Sequence, residues 1–207
     1  MAKTTRKDLL NAPDEFITTT RSAIQWIKEN PTRFITLVTI VVVVLASGIG
    51  FYSWKTGREH SAMSALSSAG DNPQITADLV QSYADTKAGK LARLRLASLS
   101  YREKDPSTAI DHAQEFINTW GRKDIFHWQA ILILTAAHLD RQQPERALEF
   151  LSNDLESPPE NYRDQALFYK AHALMALGRH QEASETLARI SESYHDIVLP
   201  TLASLEN

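Results

Sequence analysis

Phe168-Tyr169-Lys170-Ala171-His172-Ala173-Leu174-Met175-Ala176-Leu177-Gly178-Arg179-His180-Gln181-Glu182-Ala183-Ser184 reads as one helix, its end and the start of the next. A small residue, Ala171, stands in the first helix, and Ala183 follows twelve positions later in the second. Gly178 lies between them, where a glycine can take the left-handed conformation that ends a helix. Two earlier stretches share this layout: Leu94–Ile110, with Ala97 and Ala109, and Leu132–Leu148, with Thr135 and Ala147. The second-helix alanines are 38 and 36 residues apart.

The spacing has a physical cause. Antiparallel helices joined by a tight turn approach closely only where both carry small side chains, and residues equidistant from the turn make that contact. Asp105-Pro106 supplies an N-cap and a first-position proline for the second helix of the first pair. Four residues after each second-helix alanine comes Ala113, Leu151 or Leu187, the next position on the buried face. Each pair exposes an apolar face alone and covers it by stacking on its neighbour.

These blocks resemble the tetratricopeptide repeat. Leu177-Gly178-Arg179-His180-Gln181-Glu182-Ala183 is similar to that family's turn, and Pro159 follows Ala147 by twelve residues, as its closing proline does. The pattern departs from the family's in three respects: no tryptophan opens a block, glycine is absent from the small first-helix position, and Asp154 stands where an apolar residue is usual. Three repeats are expected over residues 88–192. Residues 55–87 read as a degenerate fourth pair, with Ala77 in its second helix and Asp71-Asn72-Pro73 at its turn. Residues 193–207 read as a C-terminal cap, with a short helix from Ile197 to Leu205 interrupted by Pro200.

Ahead of the repeats, Phe34 to Trp54 holds no charged residue and includes Val41-Val42-Val43-Val44. About 21 residues at ~1.5 Å each make a helix of roughly 30 Å, the thickness of a bilayer's hydrocarbon core. A signal peptide has a short basic head and an apolar stretch of roughly 7–15 residues. Here 33 residues precede the run, among them Asp8, Asp14, Glu15 and Glu29, so a retained transmembrane helix at 34–54 is expected. Without cysteine the chain has no residue to carry a lipoprotein's lipid. Residues 1–33 carry six basic residues, whereas the first stretch after the run offers only Lys55 and Arg58. Basic flanks stay cytoplasmic. The expectation is an inner (cell) membrane protein with a cytoplasmic N-terminus and a periplasmic C-terminal domain. Tyr52 and Trp54 sit at the outer end, where aromatic rings favour the headgroup region.

The head also reads as structured. Asn11 can cap a helix with Asp14 and Glu15 in its first turn, and Phe16, Ile17, Thr20, Ile24 and Ile27 then share one face. Asn30-Pro31 ends this helix or caps the next one. The apolar stripe fits a plain surface helix, or one that meets the membrane surface or a membrane partner.

Composition sets the class. Residues 55–207 carry 16 basic and 21 acidic residues with no basic cluster, which argues against nucleic acid. Outside the run, glycine and β-branched residues are scarce while Ala, Leu, Glu and Gln abound, so the fold class is all-α. No Gly-x-Ser-x-Gly, Gly-x-x-x-x-Gly-Lys or Gly-x-Gly-x-x-Gly occurs, leaving no nucleophile elbow or phosphate loop. His127, His138, His172, His180 and His195 lie 11, 34, 8 and 15 residues apart, and none forms the i, i+4 pair of a helical zinc site. Asp154/Glu156 and Glu182/Glu185 read as solvated carboxylates or as first-turn acids complementing a helix dipole, and Tyr83 and Trp120 as packing aromatics. Neither an enzyme, a cofactor, a metal nor a small-molecule substrate is expected.

Binding of protein is the function such an architecture suits, because stacked pairs line an inner surface with their first helices. By repeat register, Tyr101, Arg102, Gln129, Gln165, Phe168 and His172 face that groove; the alternative for Phe168 is packing between repeats. The full layout of basic head, single membrane helix and degenerate then better repeats resembles the YfgM-like proteins. That resemblance implies an inner-membrane protein associated with the Sec translocon and periplasmic chaperones, acting on exported clients. The alternatives are a structural bridging subunit of another envelope complex and a homo-oligomeric scaffold. The run lacks Gly-x-x-x-Gly, so it shows no specific dimer face.

Overall fold

The computed structural model describes residues 15–154 and 158–191. Among these residues every regular element is an α-helix, as expected for the all-α class. The expected Asn11 cap, the C-terminal cap from Ile197, Glu156 and His195 lie outside the described residues. The chain divides into two units, Met1–Thr56 and Gly57–Asn207.

The first unit contains α1 (Glu15–Glu29) and the beginning of α2 (Pro31–Ala69). Asn30 both ends α1 and starts α2. Its backbone and side-chain amides donate to the Trp26 carbonyl at 2.9 and 3.2 Å, while its own carbonyl accepts the Phe34 amide at 3.0 Å. Pro31 takes the first helical position, where its missing N–H costs nothing. The apolar run lies within α2, with Val41 to Leu45 all exposed, and its most apolar window has a mean hydropathy of 2.6 with none of it buried. It is one candidate membrane span by length and composition. The helix outlasts the run: Gly57 does not interrupt it, since a glycine inside a helix costs only about 1 kcal/mol.

The second unit is a stack of helix pairs. The end of α2 pairs with α3 (Pro73–Ser82), α4 (Lys87–Arg102) with α5 (Pro106–Trp120), α6 (Ile125–Asp140) with α7 (Pro144–Asp154), and α8 (Glu160–Ala176) with α9 (His180–Leu187). The small-residue pairs sit at the contact points: Ala97 and Ala109, Thr135 and Ala147, and Ala171 and Ala183 are all buried. The Thr135 hydroxyl is satisfied by donating to the Ile131 carbonyl at 2.8 Å. Ala113 and Leu151 are buried as expected, but Leu187 is half-buried and packs toward Leu167 and Ile190.

The three turns of the better pairs share one hydrogen-bond scheme. Asp105 N–H bonds the Ser100 carbonyl, Gln143 that of His138 and Arg179 that of Leu174, each at 2.9 Å. The residue before each donor, Lys104, Gln142 or Gly178, has positive φ (64°, 57° and 72°) and bonds the carbonyl three back. These are Schellman ends. The degenerate pair is built otherwise. Asn72 caps α3, its side chain accepting the Ile75 amide at 3.1 Å, and Pro73 opens it. On α3 the buried residues are Thr76, Leu79 and Val80, with Ala77 only partly covered. Glu59 from α2 accepts the Lys87 and Ala88 amides, both at 3.1 Å, and so places a carboxylate on the α4 N-terminus.

Candidate functional site

The first helices of successive pairs, α2, α4, α6 and α8, line two adjoining clefts. The larger, about 530 Å³, lies between the end of α2, α4 and the start of α6. Its floor is apolar, with Leu66, Leu91, Leu94 and Leu99, and Met63 and Phe126 stand exposed at its edge. Its rim is charged but internally paired. Arg102 bonds Asp71 at 2.8 Å, and Arg95 donates to the Leu66 and Gly70 carbonyls at 2.6 and 3.2 Å, satisfying the end of α2. The smaller cleft, about 320 Å³, lies between α4, α6 and α8 and is lined by Tyr101, Leu132, Ile133, Tyr162, Gln165 and Tyr169. Gln129 borders both clefts, so they form one face.

Tyr101, at the end of α4, carries the chemistry of the smaller cleft. Burial pushes its phenol well above the ordinary range, and the Asp140 carboxylate, which accepts its hydrogen bond, and Tyr169 add to the effect. The phenol therefore stays protonated and uncharged, donating to Asp140 while its oxygen can still accept. Gln165 Nε2 donates to the Tyr169 hydroxyl at 3.3 Å. His172 is half-buried; burial holds it below the usual imidazole value, while Asp140 opposes the shift. Tyrosines that offer a flat apolar ring and a hydroxyl, beside amides that can donate and accept, suit an extended peptide better than a reacting small molecule.

Of the six residues singled out from the repeat register, the structure brings Tyr101, Gln129 and Gln165 together in the smaller cleft and places Arg102 on the rim of the larger. Arg102 arrives there already paired with Asp71. Phe168 and His172 line neither cleft. Phe168 is half-buried against the cluster of Leu167 and Ile190, with its ring 6.4 Å from that of His172. The physical reason is register: Tyr162, Gln165 and Tyr169 form the strip of α8 that faces α6, and Phe168 is turned about 100° from Tyr169. Sequence reasoning missed Tyr162, Tyr169 and Phe126. The i, i+3, i+7 spacing of Tyr162, Gln165 and Tyr169 was the available signal.

Trp120, Tyr83 and His138 make contacts outside the two clefts. Trp120 stacks on Phe116 at 5.1 Å and donates from Nε1 to Asp124 at 2.9 Å, the same carboxylate that caps α6. Tyr83 lies under the Arg58 guanidinium at 5.3 Å. His138 Nδ1 meets Gln143 Oε1 at 2.9 Å, and its ring stacks on Phe150.

Paired helices with small-residue contacts, Schellman turns and a face lined by first helices define a helical-repeat module of the kind that binds proteins and is generally non-catalytic. Residues 25–196 match the tetratricopeptide repeat-like domain family, and the chain belongs to it. The match begins ahead of the apolar run, so run and repeats fall within one family pattern. No curated protein and no solved structure matches the chain.

Proposed function

We propose that this protein is a membrane-anchored scaffold whose repeat face holds segments of other proteins as they emerge from the Sec translocon, alongside periplasmic chaperones. Residues 34–54 are the anchor in the inner membrane, the head is cytoplasmic and the repeat domain is periplasmic. The observation that carries the binding role is the pair of clefts joined at Gln129, with apolar floors and uncharged donors and acceptors at Tyr101, Gln165 and Tyr169. Such a face favours sequence-tolerant, low-affinity contacts. A tether beside an export channel raises the effective concentration at which these contacts operate. The anchor rests on the exposed apolar run and on the excess of basic residues before it. The layout keeps the YfgM-like reading as the working one.

The test is extraction of the tagged full-length protein in mild detergent and identification of what copurifies. It is run beside a version with residues 34–54 replaced by polyleucine and beside Tyr101→Ala/Tyr169→Ala. Translocon subunits lost with the replaced span, and a diverse set of exported proteins lost with the double substitution, are the expected result. One stoichiometric envelope complex retained by all three versions would refute it and make the repeats a structural bridge. Concentration-dependent self-crosslinking with no other partner would instead make the protein a homo-oligomeric scaffold.

A further inference from the structure

The helix ahead of the apolar run presents an apolar face that is open among the described residues. In α1, Ile24 and Trp26 are 49% and 44% exposed, and Ala23 is exposed beside them. A 15-residue helix is marginal in water without an apolar surface to lie on. At about 100° per residue, Trp26, Ala23, Ile27, Thr20 and Ile24 follow one another around one side of α1, apolar but for the Thr20 hydroxyl, and Lys28, Arg21, Gln25 and Glu29 occupy the other. The polar side is tied to itself, Gln25 Nε2 donating to Glu29 Oε1 at 3.0 Å.

We infer that α1 lies flat in the lipid–water interface at the start of the anchor, with Ala23, Ile24, Trp26 and Ile27 among the acyl chains. The inference rests on the reading of residues 34–54 as a membrane span. Two observations select lipid as the occupant. The first is continuity: Asn30 alone separates α1 from α2, and the uncharged run begins at Phe34, five residues past Glu29. Once the run is inserted, α1 is within reach of the headgroups, whereas a protein occupant must be recruited. The second is charge. Arg21, Lys28 and Arg33 are all exposed, and Lys28 and Arg21 border the apolar arc, the placement that lets long cationic side chains reach anionic phosphates while the arc stays submerged. Trp26 sits at the opposite border of the arc, at the depth where indoles concentrate. So placed, α1 fixes how far the N-terminal end of the anchor can sink.

The absence of cysteine makes single-cysteine labelling of the full chain direct. Spin labels at Ile24→Cys, Ala23→Cys, Gln25→Cys and Val43→Cys are compared in vesicles of phosphatidylethanolamine and phosphatidylglycerol, by their collision rates with oxygen and with a water-soluble nickel complex. The expected result is an oxygen-to-nickel ratio several-fold higher at positions 23 and 24 than at 25, with position 43 deepest. Two positions on the apolar side guard against a label that unwinds the helix at one of them. Equal, water-like ratios at 23, 24 and 25 with position 43 still in lipid would overturn the inference and leave the anchor standing. Water-like ratios at all four positions would overturn both. Labels at 23 and 24 exposed in vesicles but shielded in native membranes would overturn it in favour of a protein occupant.

Discussion

Two stretches of this chain are strongly apolar, and they meet opposite surroundings. In α6, Ile125-Phe126-His127-Trp128-Gln129-Ala130-Ile131-Leu132-Ile133-Leu134-Thr135-Ala136-Ala137 has nine buried positions. In the Phe34–Trp54 run of α2, the large apolar side chains from Ile35 onward are exposed, Val44 at 63%. Hydropathy alone does not separate the two. Length and packing do. At ~1.5 Å per residue, the 16 residues of α6 span about 24 Å, short of a bilayer core. The helix also carries Ala130, Thr135, Ala136 and Ala137, which let α4, α5, α7 and α8 come close. The run offers β-branched valines whose side chains are exposed. An apolar helix becomes part of a core where neighbouring helices bury it, as in α6, and a candidate span where it is exposed over a sufficient length, as in the run.

The sharpest way to break that contrast is to place the same charge in each stretch. Leu134 is fully buried beside Ala97 and Ala113. Leu134→Asp leaves an unpaired carboxylate there, at a cost of at least ~4 kcal/mol. For a repeat domain of this size the melting temperature should fall by roughly 10 °C or more, or cooperativity should be lost, in a circular-dichroism melt. Val43→Asp should leave the melt of the repeat domain unchanged and instead weaken retention in carbonate-washed membranes, since Asp at a span's centre costs roughly 3 kcal/mol. Equal losses of melting temperature in the two variants would mean that the run belongs to a protein core.

Glycines extend the comparison. A Cβ on Gly89 would collide with the Tyr83 carbonyl, a backbone atom held by Thr86, whose hydroxyl donates to it at 2.7 Å. The Thr86 hydroxyl also accepts the Gly89 amide at 2.9 Å, so the α4 N-terminus cannot back away freely. Gly89→Ala should cost about 1–3 kcal/mol in urea unfolding, the range of overpacked sites. Gly50 has no atom within 4 Å of such a Cβ, and Gly50→Ala should leave urea unfolding unchanged.

Much of this was legible from residue spacing. The twelve-residue interval between small residues picked out six positions that are all buried, because it follows from turn length and helix pitch alone. Gly178 announced its turn for the same reason. Lys104 and Gln142 gave no such signal: they occupy the same left-handed position with side chains that do not advertise it, and only the backbone reveals the equivalence. The groove was half legible. Register selected Tyr101, Gln129 and Gln165, but Phe168 and Tyr169 are neighbours, and which of them faces α6 depends on how α8 is rotated. That rotation is set by the contacts of Leu167 and Ile190, at the edge of the described residues. Gly89 was invisible because its partner, Tyr83 O, belongs to a turn with no sequence signature.

The shared turn gives a smaller effect with a sign to check. An L-residue in the left-handed region costs about 1 kcal/mol or slightly more. Gln142→Gly should therefore stabilise the repeat domain by up to about 1 kcal/mol, part of the relief being offset by the unfolded chain's added freedom, and Gly178→Ala should destabilise it by a similar amount. Opposite signs in urea unfolding would establish that the three turns are one device. A loss in both would mean that the Gln142 side chain holds its turn.

The smallest expected effect is a tilt of stability with pH, and it too separates the two stretches. Between Phe34 and Trp54 there is no Asp, Glu, Lys, Arg or His. In the repeat domain, burial lowers His172 and, with Arg93 adding to it, His112, both from an ordinary 6.5. Below that value the unfolded chain takes up protons that the folded one resists, so this stabilisation is full above pH 6.5 and is lost as the pH falls. The carboxylates of Asp105 and Glu182 are held below their ordinary 3.8 and 4.5, so their contribution is lost only at more acid pH. A melting temperature that declines between pH 7 and 5.5, and a flatter profile in His112→Gln/His172→Gln, is the expected outcome. An unchanged slope in the double variant would transfer the effect to other groups and leave His172 indifferent to its burial beside Asp140.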